Sequence, residues 1–206
     1  MPRRARATDT SRAFLRRLPL GLVAAMLLWL ILRPALDTAV CWTAQTLTRA
    51  FEHPRVTRLV AEDHRAHVRR SDLHSDSIIP AIPLTEIHFN TIVLLALYLT
   101  LKRPHERRQL ERLLMGWTIL FLTQALNLLF HVKVVYAMQL GEWSYVTYSE
   151  FDRNLFGFLR YFTDLPGRFS FPFLIWMGFN WDRVMAMMER LGRSEADDTH
   201  GKKGNR

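Results

Sequence analysis

The apolar residues of this chain are gathered into long blocks, and most of the lysines and arginines lie between those blocks. The first block is an apolar run over residues 18–32. With Ala35 and Leu36 it reaches about 19 residues, enough to cross a hydrocarbon core of roughly 30 Å. Arg33 and Pro34 follow the run, where a signal peptide would have a small-residue cleavage site. The block therefore predicts an uncleaved membrane anchor.

Three further apolar blocks cover residues 87–101, 113–135 and 169–181. The four blocks predict an all-α integral membrane protein with about four transmembrane helices. The expected organisation is a basic cytoplasmic tail (1–17), a four-helix membrane domain (18–181) and a charged cytoplasmic tail (182–206). The membrane domain includes a short periplasmic segment over residues 43–84.

The distribution of basic residues predicts the orientation. Six lie in the N-terminal tail, five in residues 102–112 and six from residue 183 onward, whereas Arg153 is the only one between Tyr136 and Leu159. Basic short loops stay on the cytoplasmic side, and a long loop can be translocated despite its charge. Both termini are therefore expected in the cytoplasm, and the membrane is expected to be a bacterial inner membrane. The net charge of +9 fits the lipid surface, so no nucleic-acid partner is predicted.

Residues 55–60 and 65–70 bracket a polar turn and predict a possible β-hairpin in the periplasmic segment. Nearby histidines and aspartates raise the alternative of a metal site; they are His53, His64, His67, His74, Asp63, Asp72 and Asp76. Their spacing matches no standard zinc pattern, so neither a metal nor another cofactor is predicted. The single cysteine, Cys41, excludes an internal disulfide and is interpreted as a packing residue.

Arg160, Asp164 and Arg168 follow one another at intervals of four residues, so on a helix they form one charged stripe. Apolar residues lie broadly opposite that stripe. The pattern predicts an interfacial helix whose apolar face lies in lipid. The alternative is a buried Arg–Asp pair in a substrate path.

Two groups of polar residues fall within the apolar blocks. Gln124, Asn127 and His131 share one face of the third block, and Glu86, His88 and Asn90 stand at the start of the second. Polar residues in hydrocarbon normally find partners on neighbouring helices. The groups are therefore interpreted as interhelical hydrogen-bonding or partner-binding residues, with no catalytic residue assigned. The alternative is acid–base chemistry at the periplasmic face through Glu86, His88 and His131.

The chain also resembles a known family in its order of segments. A basic tail and anchor precede a periplasmic segment, a helix with the sequence IHFNTIVLLALYLT, a basic connection KRPHERRQLERLLMGW and a last helix with FPFLIWMGFNW. This layout resembles the small membrane proteins encoded beside exosortases, in particular the exosortase H-associated type. Exosortases themselves are multi-span enzymes that use cysteine, arginine and histidine. The surroundings of Cys41 and the small number of spans do not match theirs, so no catalytic residue carries over.

The resemblance implies a non-catalytic accessory subunit of a bacterial inner-membrane protein-sorting system of the exosortase type, or of an envelope export system. Its expected partners are the lipid bilayer and another multi-span membrane protein resembling an exosortase. Two alternatives remain: a membrane enzyme acting at the periplasmic face, and a small transporter subunit. The lack of internal sequence repeats counts against the transporter.

Overall fold

The computed structural model describes residues 5–72, 81–101, 104–182, 184, 185 and 188, and only the backbone of residues 5–13 and 15. Most of these residues are helical. In chain order the elements are α1 (Ala5–Ala50), β1 (Thr57–Glu62), β2 (Arg65–Arg70), β3 (Ile82–Pro83), α2 (Leu84–His88), α3 (Asn90–Leu99), α4 (Arg107–Met138), α5 (Glu142–Thr147), α6 (Glu150–Asp164) and α7 (Pro166–Phe179).

Among the described residues, two helices are long and apolar enough to cross a membrane. They are Arg16–Ala50 within α1 and Arg107–Met138, which is α4. The second and fourth apolar blocks form shorter helices, because α2 and α3 together run only from Leu84 to Leu99 and α7 has 14 residues. The described residues thus contain two candidate spans where the sequence predicted about four.

The strands form a small antiparallel sheet in the order β1-β2-β3. β1 and β2 make a hairpin in the stretch where the sequence predicted one, with Glu62 opposite Arg65. The two turn residues, Asp63 and His64, have φ angles of 48° and 60°. These left-handed conformations are those of a type I′ turn, which suits the twist of a two-residue hairpin.

The sheet packs against the second half of α1 and the last turns of α4. Buried side chains at this junction form one apolar cluster; they include Val40, Ala44, Leu59, Val68, Ile82, Leu128, Val132 and Tyr136. The free edge of β1 is covered by α1, because Gln45 accepts a hydrogen bond from the Leu59 amide and Arg49 donates to the Thr57 carbonyl. The sheet is therefore an extension of the helical bundle rather than a separate unit.

α3 occupies the centre of the bundle, with α1, α4 and α7 packed around it. Eight of its ten residues are buried. The approach of α1 depends on Gly21, since a Cβ there would lie 2.6 Å from Thr100 Oγ1 and 3.2 Å from the Ala96 carbonyl oxygen. Side chains from α1 and α3 then complete a second apolar cluster around Trp29.

α6 and α7 together run back along α4 in the antiparallel direction. Gly157 of α6 lies beside Met138 at the end of α4. Asn180, just after α7, accepts a hydrogen bond from Arg112 near the start of α4. α6 begins at a capping box formed by Ser149 and Asp152, and Pro166 separates it from α7 because proline cannot donate the next helical hydrogen bond.

Candidate functional site

Asp37, which is buried in α1, contacts two histidines from other parts of the chain. Its Oδ1 lies 2.7 Å from Nε2 of His88, and the indole N–H of Trp29 donates to Nδ1 of the same ring at 3.0 Å. Because the indole can only donate, Nδ1 of His88 must accept, and Nε2 carries the proton that binds Asp37. Both nitrogens of the buried imidazole are therefore engaged.

His64 supplies the second imidazole of this group. Its Nδ1 lies 2.7 Å from the other carboxylate oxygen of Asp37, while 44% of its side chain is exposed. The left-handed turn holds the ring in place, and the His64 carbonyl accepts from the Leu84 amide at 3.0 Å. One buried carboxylate thus joins α1, the hairpin turn and α2.

Sequence reasoning did not single out Asp37, which directly follows the first apolar block. One signal was available, since Asp37 follows Arg33 by one helical turn at the end of a membrane anchor. Arg33 itself turns toward α2, where it donates to Thr85 Oγ1 and lies 5.5 Å from the Trp29 ring. The Asp37, His64, His88, Trp29 and Arg33 side chains are called the Asp37 network below.

A second group of charges centres on Arg168 at the start of α7. Its guanidinium donates to Asp164, one turn earlier, and lies 3.3 Å from a carboxylate oxygen of Glu86 on α2. Nε2 of His131 on α4 faces Asp164 at 3.9 Å, beyond hydrogen-bond length, and is buried without another partner. These four residues, the Arg168 network, connect α2, α4, α6 and α7.

The charged stripe of Arg160, Asp164 and Arg168 therefore faces other helices of the protein. Asp164 and Arg168 are ion-paired and partly buried, and Arg160 contributes its charge beside His131. This ion pair faces other helices, while the apolar side of α6 faces outward. Helical spacing placed the three residues on one face but did not indicate what that face meets.

Gln124 and Asn127 point into the bundle. The Gln124 amide donates to Asn90 Oδ1 at 2.6 Å and to Thr91 Oγ1 at 2.9 Å, which joins α4 to α3. Asn127 Oδ1 accepts from Thr163 of α6 at 3.4 Å. Gln124, Asn90 and Asn127 therefore hydrogen-bond between helices.

Arg70, at the end of β2, is the centre of a further group that the sequence did not indicate. Its guanidinium lies 4.7 Å from the Tyr136 ring and 4.6 Å from the Trp143 ring. It also donates to both carboxylate oxygens of Asp72, at 2.9 and 2.6 Å. These hydrogen bonds hold the pKa of Asp72 below its ordinary value, because they favour the ionised carboxylate. Burial raises the pKa of neighbouring Tyr148.

The three residues of the predicted acid–base alternative do not form one group. His88 belongs to the Asp37 network, whereas Glu86 reaches His131 only through Arg168 and Asp164. Among the described residues, no three His, Cys, Asp or Glu side chains are arranged to hold a metal ion. His74 and Asp76, from the metal alternative, lie outside the described residues.

A protein-family model matches most of the chain. The model for exosortase H-associated membrane proteins covers residues 8–183, which includes α2 to α7, the sheet and nearly all of α1. Neither a curated protein nor a solved structure matches the chain significantly. The family match confirms the resemblance drawn from the order of segments, and the chain belongs to the exosortase H-associated membrane proteins.

Proposed function

We propose that this protein is a non-catalytic accessory subunit that binds exosortase H in a bacterial inner membrane and supports protein sorting there. The observation that carries the proposal is the family match over residues 8–183, since the family's name indicates an association with that enzyme. The partner is accordingly a multi-span membrane protein, and the lipid bilayer covers the remaining apolar surface.

The proposed topology has four membrane crossings, with both termini in the cytoplasm. The short α3 supports this count because it is enclosed by α1 and α4, the two candidate spans. A helix buried between two crossing helices lies at the same depth in the bilayer. The basic residues around Arg107 then mark the cytoplasmic side, and the sheet lies in the periplasm.

The polar residues are proposed to hold the helices in one arrangement. Gln124, Asn127, Asn90 and His88 are all buried, so they meet other helices of this chain and are not available to a partner. Glu86 differs, because 59% of its side chain is exposed beside Arg168. We therefore expect Glu86, rather than the buried residues, to lie near a partner surface.

Co-purification from membranes tests the accessory role. The tagged chain is co-expressed with exosortase H, extracted in mild detergent and recovered by affinity chromatography, with an unrelated four-span protein as the tagged control. We expect exosortase H to co-elute with this chain and not with the control. Elution of the chain alone, under conditions in which exosortase H remains folded, contradicts the proposal.

A substitution separates the accessory role from the enzyme alternative. His131→Gln keeps a polar side chain but removes the titratable group, whereas Asn127→Leu removes a hydrogen bond on the same face. In each variant, cleavage of a sorting substrate should fall only in proportion to the amount of complex that is recovered. Loss of cleavage in His131→Gln, with the complex intact, would favour a proton-transfer role for His131.

A further inference from the structure

A surface helix of a water-soluble protein exposes its polar face and buries its apolar face. α6 does the opposite. Five large apolar residues are exposed on its outer face: Phe151, Leu155, Phe158, Tyr161 and Phe162. The exposed Asn154 lies among them, and Leu165, just after the helix, is exposed on the same side. Phe158 and Tyr161 each leave more than 60% of their surface uncovered. Aromatic side chains of this size are rarely left in water in a continuous row.

The inner face of the same helix carries polar and charged residues that meet other helices. Asp164 pairs with Arg168 and faces His131, and Thr163 donates to Asn127. A helix lying flat on a membrane turns its charged face to water and its apolar face to lipid. Here Asp164 and Thr163 face α4, so this side of α6 packs against protein.

The course of α6 also differs from that of a helix lying flat. Its contacts with α4 extend from Met138 back to Asn127, which is about 16 Å along the α4 axis. A helix perpendicular to α4 would touch only one or two of its turns. α6 therefore descends along α4, and α7 continues in the same direction to Arg112.

Length supports the same arrangement. α7 has 14 residues and is about 21 Å long, shorter than the roughly 30 Å of a hydrocarbon core. The last turns of α6 provide the missing length. Leu165, between the two helices, keeps right-handed helical angles, and its amide still bonds to the Tyr161 carbonyl, so Pro166 produces a kink rather than a loop.

We propose that α6 and α7 are the two halves of one kinked transmembrane helix, and that the outer face of α6 contacts lipid acyl chains. The outer face continues into exposed apolar residues of α7 such as Phe169 and Phe173, which the proposed topology already assigns to the bilayer. The inference rests on that topology and changes the fourth crossing, which then begins within α6 instead of near residue 169. The Arg168 network lies at the kink, on the side that faces the bundle.

Spin labels report the environment of each position. In a Cys41→Ala background, single cysteines replace Phe158 and Phe162 on the outer face. Phe173 serves as the control for the bilayer, and Glu150, at the exposed start of α6, serves as the control for water. The labelled full-length proteins are reconstituted into vesicles of phosphatidylethanolamine and phosphatidylglycerol. Collision with oxygen and with a water-soluble nickel complex is then measured.

We expect labels at Phe158 and Phe162 to behave like the label at Phe173, with at least threefold greater collision with oxygen than with nickel. A label at Phe158 that behaves like the one at Glu150 overturns the inference and leaves the topology standing. A water-exposed label at Phe173 overturns the topology itself. Co-reconstitution with exosortase H should leave oxygen access at Phe158 unchanged. A loss of access there shows that a protein, and not lipid, covers the face.

Discussion

Asp37 Oδ1 and His88 Nε2 lie 2.7 Å apart in the protein interior, although the two residues are separated by 51 positions in the chain. The carboxylate binds His64 through its other oxygen. A single side chain thereby fixes the hairpin turn and the end of α2 against α1. A buried donor without an acceptor destabilises the folded state. Loss of this hydrogen bond should therefore lower the free energy of unfolding.

We expect Asp37→Ala to lower the free energy of unfolding by about 2 kcal/mol, because the His88 N–H would remain buried without an acceptor. Unfolding of the purified protein in mixed micelles, followed by tryptophan fluorescence, measures the change. Glu62→Gln is the matched control, since its ion pair with Arg69 is exposed and should contribute less than about 0.5 kcal/mol. Equal effects of the two substitutions would contradict the importance of the Asp37 network.

The close approach of α1 and α3 predicts that Gly21 does not tolerate a side chain. Gly21→Ala places a Cβ 2.6 Å from Thr100 Oγ1, and such overpacking costs about 1–3 kcal/mol. Gly178 on α7 has no heavy atom within 4 Å of an added Cβ, so Gly178→Ala should be tolerated. Thermal unfolding in detergent compares the two variants, and equal stability would show that α1 can move away from α3.

Arg70 should stabilise the junction between the sheet and the helices. Arg70→Gln removes the stacking on Tyr136 and Trp143 together with the hydrogen bonds to Asp72, and we expect a loss of about 2 kcal/mol. Arg69→Gln, on the exposed side of the same strand, is the control and should change stability by less than about 0.5 kcal/mol.

The effect of Arg70→Gln should also depend on pH. The pKa of Asp72 in the folded protein is below its ordinary value of 3.8, so the bond to Arg70 contributes stability above that pH. This contribution disappears as the pH falls through the folded-state pKa. The stability difference between the wild type and Arg70→Gln should therefore narrow below pH 3.8, and a constant difference would exclude the Asp72 contribution.

The inward face of α4 should show small, graded effects. Replacing Gln124 with leucine removes two hydrogen bonds to α3, and Asn127→Leu removes one to α6. Because unfolded chains in a membrane also find hydrogen-bond partners, each bond should contribute about 0.6 kcal/mol and less than about 2 kcal/mol. Unfolding in mixed micelles should show that Gln124→Leu lowers the free energy of unfolding more than Asn127→Leu does. A reversed order would contradict the pairing of α4 with α3.

Topology reporters test the proposed orientation. A reporter fused after Arg206 and one inserted after Arg108 should both give a cytoplasmic signal, while one inserted after Asp76 should give a periplasmic signal. The physical reason is the excess of basic residues beside the first two positions, which resists translocation. A periplasmic signal after Arg108 would exclude four crossings in the proposed order.

Several features could be predicted from local patterns in the sequence. The long apolar runs predicted a membrane protein, and both the family and the two candidate spans agree with that prediction. The order of segments was enough to identify the family. The paired strand segments on either side of Asp63 and His64 predicted the hairpin position, since alternation and turn residues act over only a few positions.

The candidate site was predictable only in part. Helical spacing placed Gln124, Asn127 and His131 on one face, and the structure turns that face toward other helices. It did not indicate that Asn90 is the partner of Gln124, because the residues are 34 positions apart. Asp37 was missed for the same reason, since its partners His64 and His88 come from distant segments.

The sequence by itself determined where the apolar segments lie, which family the chain belongs to and which residues share a helical face. These properties follow from hydrophobicity and backbone periodicity, which are local. Only the tertiary structure decided what each face meets. The stripe of Arg160, Asp164 and Arg168 has the same spacing whether it faces water or α4, because periodicity does not specify the direction of a helix face. The packing of α6 against α4 determines that direction. It brings Asp164 close to His131 and leaves the aromatic face outward.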